Sequence, residues 1–204
     1  MIIRNLSGNN LKKISNLLQA GEVLVCPTDT VYGLLANVFR PAGSRKIYQL
    51  KGRSYHKPLI LLGKDIRSLE KFVVFDSLAK RLARKFWPGP LTLILPTTTL
   101  GKIVSGGRLN LGVRIPNCPS LQKILSSVNF PLFSTSANPS GCPATTSSSA
   151  VIKYFQKKAG AIVVTKNKFS GTPSTVIDIS RFPYQIIREG SIRKKDLELI
   201  LRVC

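Results

Sequence analysis

The sequence predicts an α/β fold, a twisted, mostly mixed or parallel open sheet flanked by helices. Three observations support this. Short apolar runs alternate along the chain with segments whose apolar residues recur at helical spacing. Proline and glycine mark the joins between them. The 204 residues, 43% of them hydrophobic, are enough to close one sizeable core and few for two, so residues 1–204 are expected to form a single domain.

Asn9–Leu18 places Leu11, Ile14, Leu17 and Leu18 at helical spacing. Val23–Cys26 is an apolar run that ends at Pro27 and reads as a buried strand, with Pro27–Leu34 as the turn that leaves it. Ala42–Leu50 reads as a helix and Pro58–Leu62 as a strand, and the helical pattern of Ser77–Trp87 stops at Pro88-Gly89-Pro90. Leu91–Leu95, Leu111–Ile115, Pro131–Ser134, Ala161–Val164, Thr175–Ile179 and Gln185–Arg188 read as further strands. Helices are expected over Ser120–Ser127, Ser149–Lys158 and Lys194–Leu201. Some strands follow one another without a helix between them, which requires antiparallel joins in the sheet.

Composition narrows the function. Thirty-one Lys and Arg stand against nine Asp and Glu, a formal net charge of +22, which suits polyanionic partners such as nucleotides, RNA or phosphorylated metabolites. A generally basic, solvated surface accounts for the same number. His56 is the one histidine, so a multi-His metal site is excluded. The nine acids are scattered, which argues against a carboxylate-caged two-metal centre. Cys26, Cys118, Cys142 and Cys204 show no CxxC spacing and read as reduced thiols. The opening Met-Ile-Ile-Arg-Asn-Leu lacks the basic stretch and apolar core expected of a signal peptide, and no apolar run approaches the roughly 18 residues that span a bilayer. A soluble, cytoplasmic protein without a membrane partner is expected.

Polar clusters sit at strand ends. Pro27-Thr28-Asp29-Thr30-Val31-Tyr32-Gly33-Leu34 follows a strand and fits a ligand-cradling turn or a helix cap equally. Lys51-Gly52-Arg53-Ser54-Tyr55-His56-Lys57 puts three cations within seven residues, suited to a polyphosphate or to plain solvation. Ser134-Thr135-Ser136-Ala137-Asn138 offers hydroxyls and an amide to phosphate oxygens, or forms an Asx or Ser/Thr turn. Arg114, embedded in the apolar strand Leu111–Ile115, needs an anionic partner. With so few carboxylates in the chain, a ligand carboxylate is favoured over a structural one. Ser174 and Thr175 add hydroxyls at a strand entrance, and Arg188 one more cation. Neither GxxxxGK[ST] nor a strand-following GxGxxG is present.

Seven segments in order, PTDTVYGL from Pro27, Lys51-Gly52-Arg53 with Lys57-Pro58-Leu59, Trp87–Thr92, Val113–Pro116, Ser134–Asn138, Ser174–Asp178 and Arg188-Glu189-Gly190, resemble the YrdC-type threonylcarbamoyl-AMP synthase family in its short, single-domain form. The resemblance covers nearly the whole chain. It implies a YrdC/RibB-like sheet with a large basic concave face, and condensation of L-threonine, bicarbonate and ATP to threonylcarbamoyl-AMP and pyrophosphate. The product would pass to the tRNA threonylcarbamoyl-transferase machinery. By the same resemblance Thr30, Arg114, Ser134 and Ser174 would bind L-threonine. Lys51 and Arg53 would be catalytic and, with Lys57, Asn110, Ser136, Asn138 and Arg188, would bind ATP. Mg2+ would be held through the ATP phosphates, with no protein metal ligand. Leu62 stands where many relatives have a histidine, so the threonine hydroxyl contact expected there is in doubt. The alternative is an RNA-binding or ribosome-maturation protein that uses the same basic groove for tRNA or other RNA, although no RRM-like aromatic motif is present.

Overall fold

The computed structural model describes residues 1–165 and 169–201. Among the described residues ten strands form one sheet: β1 (Ile2–Ile3), β2 (Leu24–Pro27), β3 (Tyr32–Asn37), β4 (Ile60–Leu62), β5 (Leu91–Pro96), β6 (Asn110–Arg114), β7 (Leu132–Ser136), β8 (Ala161–Val163), β9 (Thr175–Asp178) and β10 (Gln185–Arg188). Their order across the sheet is β1-β8-β2-β3-β7-β4-β6-β5-β9-β10. Pairings β1–β8, β2–β8, β4–β6 and β5–β9 are parallel and the other five are antiparallel. The α/β class expected from the sequence is the one observed.

Eight helices among the described residues accompany the sheet: α1 (Gly8–Gln19), α2 (Pro41–Lys51), α3 (Ile66–Glu70), α4 (Ser77–Phe86), α5 (Thr99–Val104), α6 (Pro119–Ser127), α7 (Ser148–Phe155) and α8 (Lys194–Leu201). Their ends follow local chemistry. Ser7 caps α1 by accepting from the Asn10 N–H, and Asp76 caps α4 by accepting from Ala79 N–H at 2.7 Å. Prolines open α2 and α6. Gly52 ends α2 with φ 57°, a left-handed turn that a side chain would resist.

Strand alternation divides the side chains between two faces. One face is covered along its length: Val25, Tyr32, Leu34, Leu61, Leu93, Val113, Phe133 and Ile177 pack against Ile47 of α2, Leu82 of α4, Phe155 of α7 and Leu197 of α8. The other is covered only in part. There α1 and α6 set Ile14, Leu18, Leu121, Ile124 and Leu125 on Leu24, Cys26, Leu35, Leu62 and Leu132. Each such fully buried side chain contributes about 1.5–3 kcal/mol. Beyond Leu62 and Leu132 the same face carries Gly33, Thr92, Gly112, Arg114, Ser134 and Ser136 by alternation, with Ile60 partly buried against the α1/α6 cluster.

Observed boundaries fall within about three residues of those read from the sequence. Four elements were not anticipated: β1, α3 and α5, which are short, and β3. Pro27–Leu34 was read as one turn, whereas Tyr32 already begins β3 and only residues 28–31 form the turn. All six β3 residues are buried, so it lacks the half-polar alternation that marks a strand. Among the described residues no helix is long and apolar enough to cross a membrane. Burial pushes the Cys26 thiol well above its ordinary pKa, consistent with an inert structural thiol. Cys204 lies outside the described residues.

Candidate active site

Three buried polar clusters meet along this stretch of the sheet. The first surrounds Arg114, the last residue of β6, which is only 4% exposed. Its Nε donates to Gly89 O at 3.0 Å, one terminal nitrogen donates to Thr30 Oγ1 at 3.4 Å, and the other to Asp29 Oδ1 at 2.6 Å. Gly89 delivers that carbonyl from a turn so tight that a Cβ there would lie 2.3 Å from Phe86 O. Thr30 and Asp29 come from the turn between β2 and β3. Thr28 Oγ1 fixes this turn by accepting from the N–H groups of Thr30 and Val31 at 3.1 and 3.2 Å.

The expectation that Arg114 awaits a ligand carboxylate rather than a structural one is therefore corrected. Asp29 already supplies a carboxylate, and the Arg114–Asp29 pair is nearly enclosed. Sequence separation hid it, because the two residues lie on different elements 85 positions apart. Each terminal nitrogen of Arg114 nevertheless keeps a second proton.

The second cluster joins Ser174, Thr92 and Arg188. The two hydroxyls lie 3.0 Å apart, and Arg188 donates to Ser174 O at 2.8 Å and to its Oγ at 3.2 Å. Burial, and then the charge of Arg114, lower the pKa of Arg188. Ser134 lies beside the turn and β3: a Cβ on Gly33 would stand 3.3 Å from Ser134 Oγ and 3.5 Å from Thr28 Cγ2.

The third cluster centres on Lys51, 3% exposed at the end of α2. This helix packs on the opposite face, so the side chain reaches around the end of β7. Its ammonium donates to Ser136 O, to Asn138 O at 2.7 Å and to Asn138 Oδ1 at 3.1 Å. Asn138 is itself anchored by its Nδ2 donating to Pro139 O and Cys142 O. Desolvation, reinforced by the Arg53 charge, lowers the Lys51 pKa to about 8.

Arg53 stands beside this cluster but turns its guanidinium to Lys57 O and Pro58 O, at 3.3 and 3.1 Å. Lys57 and Asn110 are both exposed and make no side-chain contact with the other predicted site residues. Asn110 does share the open face with Arg114, from the far end of β6. Exposed His56 contributes only backbone contacts. Leu62 is buried in the core under α1 and α6. Sequence reasoning gave no role to Asp29, Thr92 or the Gly89 carbonyl. Asp29 was visible as an acid inside a polar turn, but its partner was not.

One cation, Arg114, is paired with a carboxylate, while Lys51, Arg53 and Arg188 are held by carbonyl, amide and hydroxyl oxygens. Among the described residues no group of three or more His, Cys, Asp and Glu converges that would hold a metal ion. The arrangement suits a ligand with more than one anionic group, held by guanidinium forks, an ammonium and hydroxyls.

The Sua5/YciO/YrdC family profile, described as "Telomere recombination", matches residues 16–190. A threonylcarbamoyl-AMP synthase of Pyrococcus abyssi is 33% identical over 92% of this chain, which spans 56% of that relative's length. A putative threonylcarbamoyl-AMP synthase of Methanocaldococcus jannaschii is 37% identical, over 93% of this chain and 92% of the relative. The crystal structure of P. abyssi Sua5 complexed with L-threonine superposes with TM-score 0.91 at 31% identity, covering 98% of this chain and 61% of that one. With this fold and these matches, the chain belongs to the Sua5/YciO/YrdC family of threonylcarbamoyl-AMP synthases.

Proposed function

We propose that the protein is an L-threonylcarbamoyladenylate synthase. The observation that carries the reading is the meeting, on one polar stretch of sheet, of a guanidinium among hydroxyls and an ammonium among β7-end acceptors. Arg114, Thr30, Ser134 and Ser174 form the amino-acid side. Lys51, Arg53, Ser136, Asn138 and Arg188 form the nucleotide side, with Lys57 and Asn110 at its exposed rim. The relatives named above support the assignment.

The chemistry asks for positioning more than proton relay. The threonine amine and bicarbonate form a carbamate and release water. A carbamate oxygen then forms a bond to the α-phosphorus of ATP, and the bond to pyrophosphate breaks. Arg114 would orient the substrate carboxylate, while Lys51 and Arg53 would offset charge developing on the leaving phosphates. Magnesium would enter as part of the nucleotide substrate. The product, a mixed anhydride, would be handed to a tRNA-modifying transferase in the cytoplasm.

Pyrophosphate release from ATP and bicarbonate, with and without L-threonine, tests the reading. Release that depends on threonine and fails with EDTA supports both the synthase and the magnesium-bound nucleotide. Release that persists with EDTA counts against the metal, and no release counts against the synthase. The net charge of +22 favours one second reading, RNA binding on the same surface. That activity would weaken steeply with salt and survive Arg114→Ala, which threonine-dependent release would not.

A further inference from the structure

We propose that Asp29 is a specificity-determining residue that receives the α-ammonium group of the amino acid bound at Arg114. The proposal rests on the threonine reading above and deepens it.

The Asp29 carboxylate is asymmetric. Oδ1 accepts from Arg114 at 2.6 Å, whereas Oδ2 is buried and has no hydrogen-bond partner among the described residues. A buried carboxylate oxygen without a donor is unfavourable, and such oxygens are rare. A donor brought in beside Arg114 would satisfy it.

The pair also has the right polarity. An α-amino acid holds its ammonium and carboxylate on one carbon, and Asp29 and Arg114 hold the opposite charges side by side. A zwitterion therefore docks with both ends answered. A plain carboxylate would reach the guanidinium with the Asp29 charge beside it and no ammonium to offset it, a repulsive element that selects against such ligands. The turn is fixed well enough to discriminate. Its Asp29 and Thr30 carbonyls accept from the Ser170 and Gly171 N–H groups at 3.1 and 3.0 Å, and Thr28 braces it from within.

Asp29 also holds Arg114 in place, so the test must separate recognition from support. Calorimetric titration of the full chain with L-threonine, and displacement of L-threonine by its deamino analogue 3-hydroxybutyrate, supply that separation for wild type and Asp29→Asn. The expected result is a loss of about ten- to hundredfold in L-threonine affinity, with 3-hydroxybutyrate unchanged or tighter. Equal loss for both ligands would reduce Asp29 to a support for Arg114. Equal gain would make it a stand-in for the substrate carboxylate. Either outcome overturns the proposal while leaving the synthase reading intact. A wild type that binds neither ligand overturns the threonine reading itself. If Asp29→Asn does not fold, Asp29→Glu, which moves the charge by one methylene, serves in the same comparison.

Discussion

Along β7, Leu132 lies beneath α1 and α6, while Ser134 and Ser136, on the same side of the strand, lie beyond them. The same division runs through β4, where Leu62 is buried and Ile60 only partly so, and through β3, where Leu35 is covered and a Cβ on Gly33 would meet Ser134 Oγ, Thr135 O and Thr28 Cγ2. Two helices thus split one sheet face into a leucine-rich floor and a floor of glycine, serine, threonine and arginine. Bulk and apolarity are used where a helix can seal them. Small or hydrogen-bonding groups are used where it does not, which avoids a large exposed apolar patch. The covered part should govern stability and the open part binding.

The largest effect is expected from Arg114→Ala, which removes the ligand fork and strands Asp29. Threonine-dependent pyrophosphate release should fall about a hundred- to a thousandfold, the usual cost of removing one preorganised donor from a reacting site. A residual rate within tenfold of wild type would break the assignment of the open floor. Next comes Leu62→Ala on the covered floor. Denaturant unfolding should show a loss of about 2–5 kcal/mol, while the serine-to-threonine ratio of kcat/KM changes little. A large change in the ratio would mean that the boundary between the two floors runs on the other side of Leu62.

Lys51 gives a pH signature of intermediate size. Its ammonium loses its proton as pH rises through about 8, so attraction for phosphate is present below that pH and fades above it. In the wild type, kcat/KM for ATP should fall on the alkaline side of about 8, and Lys51→Arg should move that fall to higher pH. An unmoved profile would assign the titration to another group. Gly112→Ala should have the smallest effect. Its new Cβ would stand 3.1 Å from Ile60 Cγ2 on the open floor, so KM should rise a few-fold with stability within about 1 kcal/mol. A fall in thermal stability without a change in KM would show that this stretch is packed rather than open.

Much of this was legible in the sequence. Arg114 among Leu111, Val113 and Ile115 announced a buried cation, and the hydroxyl runs at 134–138 and 172–175 announced polar strand ends. Periodicity could not show β3, because a strand buried on both faces has no polar beat. Nor could it show which carboxylate answers Arg114, because the pairing depends on the turn after β2 reaching the end of β6. The alternation within β7 was readable, but the place where its helical cover stops was not. That limit is set by how α1 and α6 pack against each other and across the sheet, at distances no local pattern records.

The strand order has a consequence for how the protein comes into being. Leu24 pairs with Ala161, and the polar cradle draws on residues 29, 51, 114, 136, 174 and 188, so its loops close over long stretches of chain. Such non-local pairing slows folding, and no early segment can assemble a partial cradle that works. Until Arg188 on β10 docks against Ser174, a nascent chain has the cations but not the geometry. Affinity for the small ligand should therefore appear late and abruptly during refolding, reporting completion of the sheet.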